Sequence, residues 1–339
     1  MRAVVMRELG SPSVLKVEDV PVPEIADDEV LIRVEAVGVA YHDVVQRNGT
    51  MRRFTQLPMV LGYEIAGIVE KIGARVTTLA PGNRVCTKAF RSCGLCRLCR
   101  TGKETSCHER KPVHGGYAEY VALAEEVCVV VPGEIGPEVA CMLGATAGVA
   151  LNAVRDTGRV QLGETVLVTG ASGGVGLAAV EIARISGATV IGLTRSEEKG
   201  SALTDAGARH VVVARDGEDF SRGVKELTGG TGVEVVIDTV GSRVFTPAFK
   251  SLALGGRYVM VGQLLREEIA INPAFIFFQR AQILGVGSVR RDQLEDAVAL
   301  TATGRIHPKV AQVMSLEDAA EAHALVEGGK MVGRIVLKP

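Results

Sequence analysis

The sequence predicts a two-part α/β protein: a doubly wound parallel sheet in the second half, preceded by a β-rich, barrel-like domain that the C-terminal tail rejoins. Three observations predict it. From about Gly136 to residue 287, short apolar runs alternate with amphipathic helical stretches. A glycine-rich turn comes directly after the first clear run of that series. Before it lie ~130 residues of alternating segments punctuated by Gly and Pro, with few long helical patterns.

Length and composition agree with this. The 339 residues suffice for two domains whose cores need no disulfide support. Apolar residues make up 47% and charged residues 23%, a globular balance. A formal net charge of -1 gives no broad electrostatic case for nucleic acid or an anionic membrane. No apolar run reaches membrane-spanning length. The opening Met1–Met6 is followed at once by Arg7 and Glu8, and so reads as a strand and not as a signal peptide. The expected partner is a small-molecule substrate, and the expected location is cytoplasmic.

In the first domain, residues 31–37 alternate well enough for a half-buried strand, and 65–72 form a second candidate. In the second, strands are expected at 165–169, 188–194, 209–213, 233–239, 257–261 and 281–287. The helix after the first strand should turn Leu177, Val180 and Ala183 inward and Glu181 and Arg184 outward. Further helices are expected at 197–206, 218–228 and 243–253. Six strands with helical crossovers match the doubly wound dinucleotide fold. The tail adds helices at 292–303 and 315–326, with Ser315 as N-cap, and a last strand at 333–337. The first domain is therefore expected to be discontinuous, 1–136 with 288–339, around a second domain of 137–287.

The turn after the strand at 165–169 is Gly170-Ala171-Ser172-Gly173-Gly174-Val175-Gly176. The usual G-x-G-x-x-G frame falls on Ala171, Gly173 and Gly176, so its first glycine is alanine. Glycine at 173 lets the backbone approach a pyrophosphate, and Gly176 lets helix and strand pack closely. The helix N-terminus then offers free N–H groups to the phosphates. NAD sites usually end their second strand in an acid. Here that end carries Thr194, followed by Arg195 and Ser196, with Lys199 one turn on. Hydroxyls and cations suit a 2′-phosphate, so NADPH is the expected cofactor. Ser196 can also simply cap the next helix, and Arg195 can simply be solvated. Val261 and Gly262, at the end of the fifth strand, complete the cofactor candidates.

Of seven cysteines, four are clustered as Cys93-x2-Cys96-x2-Cys99-x7-Cys107. Four soft sulfur ligands suit a closed, tetrahedral, structural zinc site that staples a lobe at about 91–108. An iron–sulfur cluster also takes four cysteines, but the surroundings are not those of a ferredoxin. Cys86, Cys128 and Cys141 lie in apolar surroundings and read as core.

This cysteine spacing, upstream of a dinucleotide domain with this turn, resembles the medium-chain dehydrogenase/reductase superfamily, whose best-known members are zinc alcohol dehydrogenases. Further matching stretches are Gly38 to Asp43, Gly62-Tyr63-Glu64, Gly115 to Tyr120 and Gly333-Arg334-Ile335-Val336. The resemblance spans essentially the whole chain and is nearest to acryloyl-CoA reductase-like and quinone oxidoreductase-like members. It implies a GroES-like β-barrel catalytic domain beside the Rossmann domain, with the active site in the cleft between them. It also implies a homodimer or homotetramer, joined through the strand at 281–287.

The departures from that pattern are informative. The family's catalytic-zinc ligands align with Ala40, Tyr63 and Ala145. Alanine cannot ligate zinc and tyrosine rarely does, so one structural zinc per chain is expected. His42, Asp43 and Glu64 remain a candidate for an unusual metal set. Without a Lewis acid, hydride addition to an α,β-unsaturated carbonyl is the favoured chemistry, because hydroxyl and backbone donors can hold a delocalised enolate. Tyr63, His42 and Tyr41 are the candidate donors, with His42 able to relay protons near neutral pH. Each of the three can also be plain packing. Arg52 and Arg53 could receive a coenzyme A phosphate or be a solvated pair. Two other readings stand beside this one: a carbonyl reductase or alcohol dehydrogenase using side-chain donors, and a non-catalytic NADPH-binding protein.

Overall fold

The computed structural model describes residues 1–215, 217–263 and 267–339. It forms two compact units: Met1–Gly148 with Ser288–Gly304 and Pro308–Pro339, and Val149–Gly287 with Arg305–His307.

The first unit is built on a seven-stranded sheet. Its path runs Cys128–Val130, Arg84–Thr87, Glu64–Ile72, Glu29–Val39, Arg334–Lys338 and Val310–Ser315, with Tyr120–Ala124 also pairing with Glu29–Val39. The long strand Glu29–Val39 extends past the expected 31–37 at both ends. Pairing on its two edges brings distant segments together. Gly38 lies opposite Glu64 on one side and opposite Val336 on the other. Residues from the start and the end of the chain thus share one rung. They also share one core, in which Val30, Ile32, Ile65 and Tyr117 pack with Leu316, Ala319, Ile335 and Leu337. The tail returns because its apolar face has no other place to be buried. Ser315 is the N-cap of its last helical segment as expected, and there the Asp318 carboxylate accepts both the Ser315 backbone N–H at 3.1 Å and its hydroxyl at 2.7 Å. The helix proper begins at Ala319.

Residues 137–148 cluster with this unit. Gly144 lies so close to the Thr87 carbonyl that a Cβ there would sit 2.1 Å from its oxygen. The segment Leu143–Gly148 is a π-helix, a form frequent at functional sites.

The second unit is a six-stranded, all-parallel sheet. Its order is His210–Val213, Thr189–Thr194, Thr165–Thr169, Val233–Asp238, Leu252–Met260 and Gln282–Gly285. In chain order that is 3-2-1-4-5-6, the dinucleotide-binding arrangement. All six expected strands are present; the fifth begins at Leu252 and not at 257. The helix expected at 218–228 is shorter, Ser221–Leu227, because the Asp219 carboxylate takes the Ser221 N–H at 3.0 Å and starts it late. The outward placement of Glu181 does not hold. Glu181 is buried, and its carboxylate accepts the His307 backbone N–H at 2.9 Å. That bond ties the Arg305–His307 segment to this unit. Arg184 is exposed as expected.

Two apolar features stay uncovered by the described residues. Gln282–Gly285 is an edge strand, and Phe277 and Phe278 beside it are 76% and 74% exposed. No helix among the described residues is long and apolar enough to cross a membrane.

Candidate functional site

In the first unit, the chemistry gathers around the turn Gly62-Tyr63-Glu64. Gly62 adopts φ +90°, and a Cβ there would come within 2.5 Å of the Tyr117 ring. Glycine is required on both counts. Asp43 holds this turn against the start of the helix Tyr41–Arg47. One carboxylate oxygen accepts the Ala40 N–H at 2.9 Å and the other the Gly62 N–H at 3.3 Å. The side chain is buried, and burial pushes its pKa up to about 7, against the pull of those donors.

Glu64 is equally committed. Its Oε1 accepts the Thr146 hydroxyl at 3.1 Å and lies 3.1 Å from Arg334, whose guanidinium also donates to Thr146 at 2.6 Å. Oε2 is sealed without a partner among the described residues. It is tucked where a side chain at Gly38 would be, 2.2 Å from the position of a Cβ. Burial raises the Glu64 pKa despite Arg334. Among the described residues, neither Asp43 nor Glu64 belongs to a group of three or more metal-ligating side chains. With Ala40 and Ala145 lacking donor atoms, these residues do not fit a zinc ion at the family's catalytic position.

What faces the space instead is aromatic. The rings of His42 and Tyr63 meet edge to face, 5.1 Å apart. Tyr63 is half-buried, and its hydroxyl meets no hydrogen-bond partner among the described residues. Burial, then the charges of Glu64 and Asp43, hold its phenol well above the ordinary range. It stays protonated and can donate. The His42 pKa is pushed down to about 4, first by burial and then by His114. The expected proton relay near neutral pH is therefore altered: His42 is a neutral imidazole there, because its surroundings desolvate it. Tyr41 is exposed and makes no ring contact with this pair. Arg52 and Arg53 are exposed on a short 3-10 turn. Sequence reasoning passed over His114, Thr146 and the role of Arg334. Arg334 falls within the family-like stretch Gly333 to Val336, but nothing in a lone histidine before Gly115-Gly116 marks His114.

The second unit carries the dinucleotide features. Gly173 is the N-cap of the helix Gly174–Ile185. A Cβ on Gly173 would meet nothing nearer than the Gly170 oxygen at 3.4 Å, whereas one on Gly176 would strike that oxygen at 2.3 Å. The first glycine therefore leaves open room over the helix N-terminus, and the second seats the helix on the turn. Ala171 is fully buried in the position of the missing glycine, and Ser172 and Val175 lie on the turn and the first helical turn. At the strand ends, Thr169 donates to Asp238 at 2.6 Å, and Val261 donates to the Asp238 carbonyl at 2.8 Å. These bonds tie together the ends of the two central strands, between which the strand order switches, and the Val261-Gly262 step that follows the fifth strand.

Thr194 ends its strand buried, and its hydroxyl takes the Ser196 N–H at 3.4 Å. Ser196 does not cap the following turn through its side chain. Burial, with the charge of Arg195 second, lowers the Lys199 pKa. Two cations and a hydroxyl thus follow the strand end, groups of the kind that bind a phosphate. These residues fit a phosphorylated dinucleotide.

The four cysteines form a third cluster. Their sulfurs lie within 4.8 Å of one another, with separations of 3.5 Å (Cys96–Cys99, Cys93–Cys107) and 3.9 Å (Cys93–Cys99, Cys96–Cys107). A tetrahedron of sulfurs about 2.3 Å from a zinc ion has edges of about 3.8 Å. Disulfides would need about 2.05 Å. The Cys96 N–H, at 3.4 Å, is the main cause that lowers the Cys93 pKa, whereas burial first of all raises that of Cys99. The set fits one tetrahedral ion with no open position.

Comparison with known proteins bears on the whole chain. A model of the alcohol dehydrogenase GroES-like domain matches residues 26–133, and one of zinc-binding dehydrogenase matches residues 174–303. The chain is 34% identical to an acryloyl-coenzyme A reductase of Sulfurisphaera tokodaii, with all of both proteins covered. It is 33% identical to an NAD-dependent alcohol dehydrogenase of the same organism, again over the full length of both. The crystal structure of AibC superposes with a TM-score of 0.94 at 41% identity, covering 100% of this chain and 96% of that one.

Proposed function

The chain belongs to the medium-chain dehydrogenase/reductase superfamily, and we propose that within it this oxidoreductase reduces α,β-unsaturated carbonyl compounds, enones or enoyl thioesters, with NADPH and without a catalytic zinc. One observation carries the reading. The three positions of the family's catalytic-zinc ligands hold Ala40, Tyr63 and Ala145, and Tyr63 offers there a firmly protonated hydroxyl with no partner among the described residues. NADPH supplies the hydride when bound. Gly173 and the helix N-terminus behind it receive the pyrophosphate. Arg195, Ser196 and Lys199 receive the 2′-phosphate. Tyr63 donates a hydrogen bond to the carbonyl oxygen, and that bond strengthens as enolate charge develops there. His42, neutral and packed against the Tyr63 ring, holds the donor in place. Asp43 sets the distance between the two by bonding both backbone segments that carry them. The four cysteines hold a structural zinc.

The full-length relative that is an acryloyl-coenzyme A reductase supports this chemistry. The alcohol dehydrogenase relative, at nearly the same identity, favours a second reading, oxidation or reduction at a saturated carbonyl. The decisive assay follows NADPH oxidation with a matched pair, an unsaturated carbonyl and its saturated counterpart. Consumption with only the unsaturated member is expected, and a Tyr63→Phe variant should lose roughly 100-fold in kcat, the loss typical of removing one such donor. Turnover of the saturated member, or an unchanged Tyr63→Phe variant, would overturn the reading. Tight NADPH binding with neither substrate consumed would leave a binding protein without turnover.

A further inference from the structure

The turn that carries Tyr63 rests on a ring that the proposed chemistry leaves unused. Gly62 has no side chain, and Tyr117 fills the face where one would stand: Cδ1 and Cε1 of its ring would lie 2.5 and 2.9 Å from a Cβ there. Tyr117 is fully buried, and its backbone is pinned from both sides. Its N–H donates to Leu61 at 3.0 Å, and its carbonyl accepts the Val4 N–H at 2.8 Å. Gly116 adds a bond to the Gly62 carbonyl at 2.9 Å. Tyr63 packs on the core that contains Tyr117. The Tyr117 ring is therefore the floor of the Tyr63 turn.

That floor has a support of its own. The Tyr117 hydroxyl and His323 Nε2 are hydrogen-bonded at 3.1 Å, and the two rings meet edge to face, 5.8 Å apart. His323 is fully buried in the helix Ala319–Gly328. One turn later the same helix carries Glu327, 2.7 Å from the buried guanidinium of Arg47, which ends the helix that begins with Tyr41 and His42. Arg47 also donates to the Gly10 carbonyl at 2.8 Å. One C-terminal helix thus bears on the Tyr63 turn through Tyr117 and on the His42 helix through Arg47. For stability alone, two apolar side chains of the same shape would serve nearly as well as the Tyr117–His323 pair. What the bond adds is direction: it fixes where the Tyr117 ring lies against Gly62.

We propose that His323 is a positioning residue for the reduction: acting through the Tyr117 hydroxyl, it sets the level of the Gly62-Tyr63 turn and so the place of the Tyr63 hydroxyl. The proposal rests on the conjugate-reduction reading above, in which that hydroxyl meets the substrate carbonyl. Stabilising a developing oxyanion depends steeply on geometry, and a displacement of about 1 Å can cost roughly 100-fold in rate. Burial, with the charge of Arg47 second, pushes the His323 pKa down to about 3, so the imidazole stays neutral and serves as a fixed strut.

The test compares three variants. Tyr117→Phe keeps the ring against Gly62 and removes the bond, His323→Leu removes it from the other side, and His323→Gln keeps an amide that can still reach the hydroxyl. The first readout is NADPH oxidation with the unsaturated carbonyl, in the wild-type and Tyr63→Phe backgrounds. In the wild-type background we expect kcat to fall roughly 10-fold in Tyr117→Phe and His323→Leu, with KM within about twofold and most of the loss restored by His323→Gln. In the Tyr63→Phe background the same changes should cost less than about twofold, because residues that act as one unit are not additive. Equal losses in both backgrounds, or an unchanged kcat beside a lowered Tm, would make the pair structural and overturn the proposal. The second readout is the NMR signal of the Tyr63 ring in the protein without substrate, assigned with Tyr63→Phe. It should shift in Tyr117→Phe and His323→Leu and return towards its wild-type position in His323→Gln; an unmoved signal would overturn the proposal. If the wild-type protein leaves the unsaturated carbonyl untouched, the reading falls and takes the role of His323 with it. Wild-type turnover beside additive losses removes His323 alone.

Discussion

Replacing Arg334 by methionine tests the buried framework beneath the turn. The change removes the guanidinium that lies 3.1 Å from Glu64 and 2.6 Å from Thr146. Glu64 is 1% exposed and one of its oxygens is already unpartnered, so the carboxylate would keep only the Thr146 hydroxyl. Breaking one side of a buried pair costs about 3–5 kcal/mol. For a domain of this size that corresponds to a fall in Tm of roughly 6–20 °C. The cost depends on pH in a definite direction. Burial holds the Glu64 pKa above the ordinary range even with Arg334 present, so its ionisation destabilises the folded chain as pH rises through that raised value. Without Arg334 the value rises further, and the variant can protonate Glu64 instead of burying a lone charge. The loss should therefore be large at pH 8 and smaller at pH 5.5. Asp43 titrates in the same range, at about 7, but it is present in both proteins and largely cancels in the difference. Calorimetry at both pH values on the wild type, Arg334→Met, Glu64→Gln and the double variant decides the matter. The double variant should regain most of the loss, because no charge remains to be stranded. An equal loss at both pH values, or a double variant no better than Arg334→Met, would refute the reasoning.

Arg195→Ala with Lys199→Ala should weaken NADPH binding by roughly 10-fold or more while leaving NADH nearly unchanged, as fluorescence titration would show; equal losses for both would remove the 2′-phosphate assignment. Elemental analysis should find one zinc per chain, and Cys107→Ser should release it and lower Tm, while two ions per chain would contradict the reading of Ala40, Tyr63 and Ala145. The edge strand Gln282–Gly285, flanked by the exposed Phe277 and Phe278, should pair with its counterpart in a second copy. Phe277→Asp with Phe278→Asp should then shift sedimentation towards the monomer, and an unshifted oligomer would place the interface elsewhere.

The second unit was almost fully legible because its physics is local. Apolar runs such as Val166-Leu167-Val168 are buried on both faces of a parallel sheet, and they stand out in one dimension. Glu181 was misplaced for the opposite reason. Helical periodicity puts it outward, but its partner is the backbone of His307, 126 residues away, and no local pattern encodes that bond. The cysteine cluster was legible because all four ligands come from one short loop. The surroundings of the turn at Tyr63 were legible only in part. Tyr63 and His42 could be named from position, but the depressed pKa of His42 depends on burial and on His114, which approaches from another segment.

The same contrast explains why Asp43 and Glu64 mislead when read as a string. Beside His42 they look like three ligands awaiting an ion. In three dimensions each carboxylate already has a task that needs no metal. Asp43 joins two backbone turns, and Glu64 neutralises a buried arginine delivered by the last strand. Two carboxylates that merely survived the loss of a metal would be left as buried, unpartnered charges, each costing several kcal/mol. In the proposed site, their bonds hold the turn that carries Tyr63 against the helix that carries His42, a neutral imidazole beside a neutral phenol. Such a site suits diffuse enolate charge, which modest donors can stabilise, better than the concentrated charge of an alkoxide. On the conjugate-reduction reading proposed above, the absence of zinc ligands at Ala40, Tyr63 and Ala145 and the bonded carboxylates of Asp43 and Glu64 serve the same chemistry.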